Sequence, residues 1–212
     1  MRALLACLLV LRAVPLPAQE TFDQTLSIQQ GGKEIGREDY SLRPASRTGS
    51  MVITARSRYP ATNPTTLIRA TQERASDGGI AKFELDVQQP EGNVIILAAG
   101  SGARLIVRSV SKGSEAGREL PGGRDIVLLD DRVFSLYLAI ADAATAAGAR
   151  LTAVYPLSGR RATIIARRES GPQGATIKLS GDVTGTLTVD GQGRLQRLDL
   201  PSAGILVTPA TK

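Results

Sequence analysis

The segment from Ile80 to Ser111 reads IAKFELDVQQPEGNVIILAAGSGARLIVRSVS, and its pattern decides the fold class. In its first nine residues, apolar side chains such as Phe83 and Leu85 alternate with charged ones, which is the period of a half-buried β-strand. The residues Pro90–Asn93 form a turn signal, and two runs rich in Val, Ile and Leu follow it. Strands repeated at intervals of roughly a dozen residues are typical of an antiparallel meander rather than of alternating strands and helices.

The same alternation recurs on both sides of this segment. Two hairpins are especially clear, one around Gly31-Gly32 and one around Asp190–Gly193, because glycine supplies the positive φ that tight turns need. About a dozen strands are predicted in all, and so many twisted strands cannot stay flat. The sequence therefore predicts a mainly β protein, a curved antiparallel sheet or open β-barrel that forms a single domain over residues 19–212.

One segment breaks the strand pattern. Between Arg132 and Ala147 the chain is rich in Ala and Leu, and apolar residues recur at the i, i+3, i+4 spacing of a helix. Asp130 or Asp131 is the expected N-cap, and Gly148 is the expected C-terminal stop. We predict one main helix at about residues 131–147, which covers the sheet by packing its apolar stripe on or in the concave face.

The first residues have the pattern of a cleavable signal peptide. Arg2 supplies a positive charge, Ala3–Leu11 forms an apolar run, and Val14–Ala18 ends in a small residue. We expect cleavage after Ala18, so that residues 1–18 are removed and the mature protein is exported to the periplasm or the extracellular space. A transmembrane anchor would need roughly 20 apolar residues, about twice the length of this run. The alternative is that this segment is a buried N-terminal helix or strand.

Two residue types limit the chemistry that the mature chain can perform. The sequence contains no histidine, and its single cysteine, Cys7, lies within the predicted signal peptide. Removal of the signal would leave no thiol nucleophile and no disulfide, and the lack of histidine excludes Ser-His-Asp triads and histidine-ligated zinc. We therefore predict no catalytic residues, no metal site and no cofactor.

The charged residues do not indicate a nucleic-acid partner. The formal net charge is +6, but the arginines are scattered, and three Phe, four Tyr and no Trp offer few platforms for stacking on bases. The pairs Arg160-Arg161 and Arg167-Arg168 flank a predicted strand. Such a basic edge can face phospholipid head groups or acidic polysaccharide, or it can protect a sheet edge against pairing with another chain. We favour the protected edge.

Two short motifs have a possible catalytic or cofactor role. Gly100-Ser101-Gly102 lacks the third glycine of a dinucleotide-binding loop, because Leu105 occupies that place, and we interpret it as a turn. Asp130-Asp131 is a pair of adjacent aspartates, and the helix cap explains it. A hydrolase that uses carboxylates stays open as a third hypothesis, and it would need a pocket holding two acids with strongly raised pKa values.

Four stretches carry a resemblance to known proteins. They are Gly32 ahead of Ile35-Gly36-Arg37-Glu38, the sequence LDDRVF at 129–134, Tyr155-Pro156, and VDGQGRL at 189–195. Together they resemble exported bacterial β proteins that are similar to the LolA/LppX-like periplasmic carriers. The resemblance implies a curved, incomplete β-barrel in which a covering helix helps to hold acyl chains.

The leading hypothesis is an exported, non-enzymatic envelope protein that binds a hydrophobic ligand between sheet and helix. The ligand would be a lipid or a lipoprotein acyl chain. The candidate lining residues are Phe83, Leu85, Ile96, Val107, Phe134, Tyr137, Leu138 and Ile164. The alternative is a structural or interaction module of the envelope, with a solid core, no ligand and an envelope protein as its partner.

Overall fold

The computed structural model describes residues 23–44 and 51–211. The predicted signal peptide at residues 1–18 lies outside the described residues. None of the helices in the described ranges has the length and apolar character needed to cross a membrane.

The described residues form fifteen β-strands, whereas the sequence predicted about a dozen. The strands are β1 Gln24–Gln30, β2 Lys33–Pro44, β3 Met51–Tyr59, β4 Thr66–Arg74, β5 Ile80–Gln88, β6 Val94–Ser101, β7 Arg104–Ser111, β8 Ser114–Pro121, β9 Ile126–Leu128, β10 Ala149–Val154, β11 Arg161–Gly171, β12 Gly174–Gly181, β13 Gly185–Asp190, β14 Leu195–Leu200 and β15 Ile205–Pro209. The sequence analysis missed β8. Of its residues only Leu120 is buried, so the strand has no alternation by which it could be recognised.

All fifteen strands belong to one sheet that is curved into a nearly closed barrel. The order is β8-β7-β6-β5-β4-β3-β2-β1-β15-β14-β13-β12-β11-β10-β9. Every neighbouring pair is antiparallel except β9 and β10, which are parallel. The predicted mainly β, antiparallel fold is therefore confirmed. The two ends of the sheet are β8 and β9, and the Arg118 Nη2 group of β8 donates to the Pro156 carbonyl, 2.9 Å away, beyond β10.

The expectation of a protected sheet edge was wrong. The arginine-flanked strand β11 lies between β10 and β12, so Arg160-Arg161 and Arg167-Arg168 do not protect an edge. The last strand, β15, is also internal, because it pairs with β1 on one side and β14 on the other. In both cases long-range pairing, which short sequence windows do not encode, decided the position of the strand.

The helix lies in the interior of the curved sheet and is shorter than predicted. A 3₁₀ turn at Phe134–Tyr137 continues into the helix α1 at Leu138–Ala143. No residue from Phe134 to Ala141 is more than 5% exposed, so this segment is buried on all its faces. Its backbone donates to the Glu38 carboxylate of β2 and accepts from the Arg168 guanidinium of β11, two strands that lie on different sides of the barrel.

The expected caps of this helix were also wrong. The N-cap position is Val133, which makes no side-chain capping hydrogen bond. Asp130 accepts only the N–H of Arg132, in a local turn that precedes the helix. At the other end the helix stops at Ala143, so Gly148 lies beyond it and forms a separate turn with Thr145. Tertiary contacts rather than local caps therefore set both ends of the helix.

Candidate functional site

A cleft of about 460 Å³ opens beside the N-terminal end of the interior helix. Its wall combines the 3₁₀ turn with the end of β3, the loop between β10 and β11, and the turn that joins β14 to β15. The volume falls in the range of about 300–1,000 Å³ that is typical of small-molecule sites. The cleft therefore has the size for a small ligand or for one apolar chain.

The cleft collects most of the aromatic side chains of this aromatic-poor protein. Tyr59, Phe134, Tyr137 and Tyr155 line it, which are three of the four tyrosines and one of the three phenylalanines in the chain. The rings of Phe134 and Tyr137 are stacked with centroids 6.4 Å apart. Aromatic faces provide large apolar contact areas, so this wall favours an apolar ligand.

Tyr59 is positioned by a glycine and by the segment before the helix. A Cβ atom on Gly36 of β2 would lie only 2.3 Å from Cε1 of the Tyr59 ring, so the ring requires glycine at that place. The Tyr59 hydroxyl donates to the backbone carbonyl of Arg132 at 2.7 Å. Burial raises the pKa of Tyr59, so this hydroxyl stays protonated and keeps donating. The contact joins the β2–β3 wall to the start of the helix.

Arg160 and Asp131 form an ion pair at the mouth of the cleft. Arg160 Nη2 lies 2.6 Å from Asp131 Oδ1, and the guanidinium carbon lies 3.4 Å from the centroid of the Tyr155 ring. The hydroxyl groups of Tyr155 and Tyr137 are 3.5 Å apart, and burial raises the pKa of Tyr137. A cation stacked on an aromatic face is held in a defined orientation. The mouth therefore has a fixed charged group above an aromatic wall.

Glu38 holds the N-terminus of the interior helix from below the cleft. Its carboxylate, which is fully buried, accepts the backbone N–H groups of Phe134 at 2.7 Å and Ser135 at 2.8 Å. The hydroxyl of Ser57 donates to it at 3.2 Å. Removal from water raises the pKa of Glu38, and the hydrogen bonds oppose that rise only in part. Sequence reasoning missed this role because Glu38 is 96 residues from Phe134.

Within residues 23–44 and 51–211, the carboxyl groups do not form the pocket of two acids with raised pKa values that a carboxylate hydrolase would need. In the described part of the chain, Glu38 and Asp130 are the two acids with raised pKa values, in both cases because of burial. Neither lines the cleft. The acids that do line it are Asp131, which pairs with Arg160, and Asp182, which accepts the N–H of Thr163 at 2.8 Å.

A buried arginine lies at the far end of the helix. Arg74 of β4 is only 2% exposed. Its guanidinium donates to the backbone carbonyls of Gly78, Arg124 and Ile126, and its Nε lies 3.6 Å from Asp142 of α1. Burial lowers the pKa of Arg74, and the nearby acids oppose this. The backbone carbonyls accept from its two Nη groups, whereas the buried Nε has no hydrogen-bond partner. Arg74 therefore ties β4 to the start of β9 and the end of the helix.

The predicted lining residues divide into three groups. Phe134 and Tyr137 line the cleft, and Val107 lines a separate depression of about 260 Å³ near Pro156–Gly159. The other five are buried in the core and line neither cavity; they are Phe83, Leu85, Ile96, Leu138 and Ile164. Tyr59 and Tyr155 were not predicted, although Tyr155 ends an alternating strand pattern that could have marked it.

No protein-family model, curated protein or solved structure matches this chain. Within residues 23–44 and 51–211, no cluster of three or more Asp, Glu, His or Cys side chains has the geometry to hold a metal ion. The functional assignment therefore rests on the cleft itself.

Proposed function

We propose that this protein is an exported envelope protein that binds one hydrophobic ligand, such as a lipid or a single acyl chain, in the cleft beside its interior helix. The observation that carries the proposal is the concentration of Tyr59, Phe134, Tyr137 and Tyr155 around one opening of about 460 Å³. A solid structural domain has no need to bring the aromatic residues of three separate segments to the wall of one cleft.

The packed interior limits what the ligand can be. The helix occupies the space inside the sheet, and its residues from Phe134 to Ala141 are almost fully buried. Several acyl chains would have to displace it, whereas one chain can enter the cleft without moving the core. The proposal is therefore narrower than the general carrier role implied by the resemblance to LolA/LppX-like proteins.

The same filled interior supports a second function. If the cleft stays empty in the cell, the protein is a structural or interaction module of the envelope, and the cleft is a shallow surface feature that a partner protein covers. The two functions differ in whether the isolated protein binds an apolar ligand at the cleft.

Native mass spectrometry and thermal unfolding of protein recovered from an expressing Gram-negative bacterium test the proposal. We expect a chain that begins near Gln19, a co-purifying lipid, and a raised melting temperature on addition of laurate. Ala203 is exposed and lines the cleft, so Ala203→Trp should fill the opening and abolish the laurate shift. The matched control, Ala146→Trp, places the same side chain at an exposed site outside the cleft and should leave the shift unchanged.

Two results would contradict the proposal. Retention of residues 1–18 in the recovered protein would contradict export through a cleaved signal peptide. The absence of both bound lipid and any laurate shift in the parent protein would instead favour the structural module.

A further inference from the structure

We infer that the cleft selects single-chain amphiphiles with an anionic head group, and that Arg132 and Arg160 are the residues that recognise this group. This inference rests on the proposed function, because it concerns the same cleft. It adds the chemical class of the ligand and the orientation in which the ligand binds.

Polarity changes with depth in the cleft. The deep wall contains buried apolar or aromatic residues, among them Phe134, Tyr137 and Ile205. The side chains of Arg160 and Asp131 at the mouth are 45% and 64% exposed. A ligand that matches this gradient has an apolar chain directed inward and a polar group left at the mouth.

The charged residues of the cleft differ in how many of their polar atoms already have an ion-pair or hydrogen-bond partner. Asp131 is paired with Arg160, and Asp182 accepts a backbone N–H. The backbone of Arg132 is fixed, since its N–H donates to Asp130 and its carbonyl accepts from Tyr59. Its guanidinium makes no hydrogen bond or ion pair within residues 23–44 and 51–211, and its charge acts on Asp130 from a distance, where it opposes the rise in the pKa of that acid. The cleft therefore offers a cation whose N–H donors are not engaged, on a backbone held by two hydrogen bonds.

Arg160 can contribute further donors to the same group. Asp131 engages its Nη2 atom, whereas a guanidinium carries five N–H donors in a planar fork. Stacking on Tyr155 holds that plane in place. Guanidinium groups bind carboxylates through paired, charge-assisted hydrogen bonds, which makes an anionic head group the best match for these two arginines.

Three ligands with the same chain separate head-group recognition from chain binding. Laurate, 1-dodecanol and dodecylamine share a twelve-carbon skeleton and differ in charge, and their dissociation constants can be measured by isothermal titration calorimetry with the purified protein. We expect laurate to bind about tenfold more tightly than dodecanol, because hydrogen bonds between charged groups are worth about that factor. Dodecylamine should bind most weakly.

Matched variants assign the effect to the two arginines. Arg132→Gln and Arg160→Gln should each weaken laurate binding by about tenfold and change dodecanol binding by less than about twofold. Arg161→Gln is the control, because Arg161 is exposed and does not line the cleft. Arg132→Lys should recover part of the laurate affinity, since it keeps the charge without the planar fork.

The outcomes distinguish the inference from the proposed function. Equal affinities for laurate and dodecanol, or losses in Arg132→Gln and Arg160→Gln no larger than in Arg161→Gln, would overturn the head-group inference and leave apolar binding in place. If none of the three ligands binds the parent protein, both the proposed function and the head-group inference are contradicted.

Discussion

Glu38 controls the position of the helix with a single buried carboxylate. It takes up two of the N–H groups that a helix leaves unpaired at its start, a task that Ser, Thr, Asp or Asn at the N-cap performs in most helices. Here the acceptor comes from β2, on a different element. The start of the helix, and with it the aromatic wall of the cleft, is therefore attached directly to the sheet.

Substitution of Glu38 should destabilise the protein in a graded way. Glu38→Ala leaves both N–H groups unpaired and opens a cavity, so we expect a loss of about 4 kcal/mol in the free energy of unfolding. Glu38→Gln keeps one acceptor but turns an amide N–H₂ toward the other donor, and should lose about 2 kcal/mol. Urea unfolding measures both. Glu34→Gln on the same strand is the control, and a loss there as large as in Glu38→Gln would contradict the capping role.

The effect of Glu38 should also depend on pH. Because burial raises its pKa above the ordinary value of 4.5, the folded protein holds the proton more tightly than the unfolded chain does. The stability that Glu38 contributes is therefore complete below about pH 4.5 and declines as the pH rises through the raised pKa. The advantage of the parent protein over Glu38→Gln should shrink as the pH rises. An advantage that grows between pH 5 and pH 8 would show that the sign is wrong.

At the scale of elements, the short interior helix depends on anchors at its two ends. A helix of this length is not stable alone in water. The C-terminal end is held by Arg168 of β11, whose Nη1 donates to the carbonyl of Ala141 at 2.9 Å, and by the proximity of Arg74 to Asp142. The C-terminal anchor comes from β11 and the N-terminal anchor, Glu38, comes from β2, so the helix also connects distant parts of the sheet.

Loss of the Arg168 anchor should loosen the helix selectively. Arg168→Met keeps much of the apolar stem and removes the donor, and we expect a loss of about 1–2 kcal/mol, as for a hydrogen bond from a charged group. Amide hydrogen exchange should become faster in residues 138–143. Arg167→Met, on the exposed face of the same strand, serves as control. If both variants exchange alike, the Arg168 contact does not hold the helix.

At the scale of the whole molecule, the pairing of β1 with β15 makes one continuous sheet from the two halves of the chain. Residue Ile28 lies opposite Val207 in this pairing, and both are fully buried. Without β15, the sheet would separate into an N-terminal set of strands, β1 to β8, and a C-terminal set, β9 to β14. Strands β1 and β14 would then become unpaired edges of the two sets, beside apolar residues that are buried in the intact sheet.

Removal of β15 should therefore abolish the fold. Truncation after Ser202 takes away the whole strand, and we expect aggregation and loss of cooperative unfolding, measured by size-exclusion chromatography and circular dichroism. Truncation of Thr211 and Lys212 alone, which lie beyond the strand, should leave both measurements unchanged. A monomeric, cooperatively unfolding product after the longer truncation would show that the two sets of strands are independent.

The candidate site was only partly predictable, for a reason that particular residues make clear. Phe134 and Tyr137 were predicted as ligand-lining residues because they belong to the one apolar helix. Tyr59 was not, because its role depends on Gly36 of another strand and on the Arg132 carbonyl, 73 residues away. Arg160 was recognised as part of a basic pair, but its ion pair with Asp131 arises only when the loop between β10 and β11 meets the segment before the helix.

The sequence by itself determined the mainly β class and most strand positions. Alternation between apolar and polar side chains, with glycine at the turns, is a local property that any folded arrangement of these strands must satisfy. Only the tertiary structure decided the central place of β15, the burial of the helix inside the sheet, and the assembly of the aromatic cleft. Each of these depends on residues far apart in the chain, whose contacts are set by how the whole sheet curves and closes.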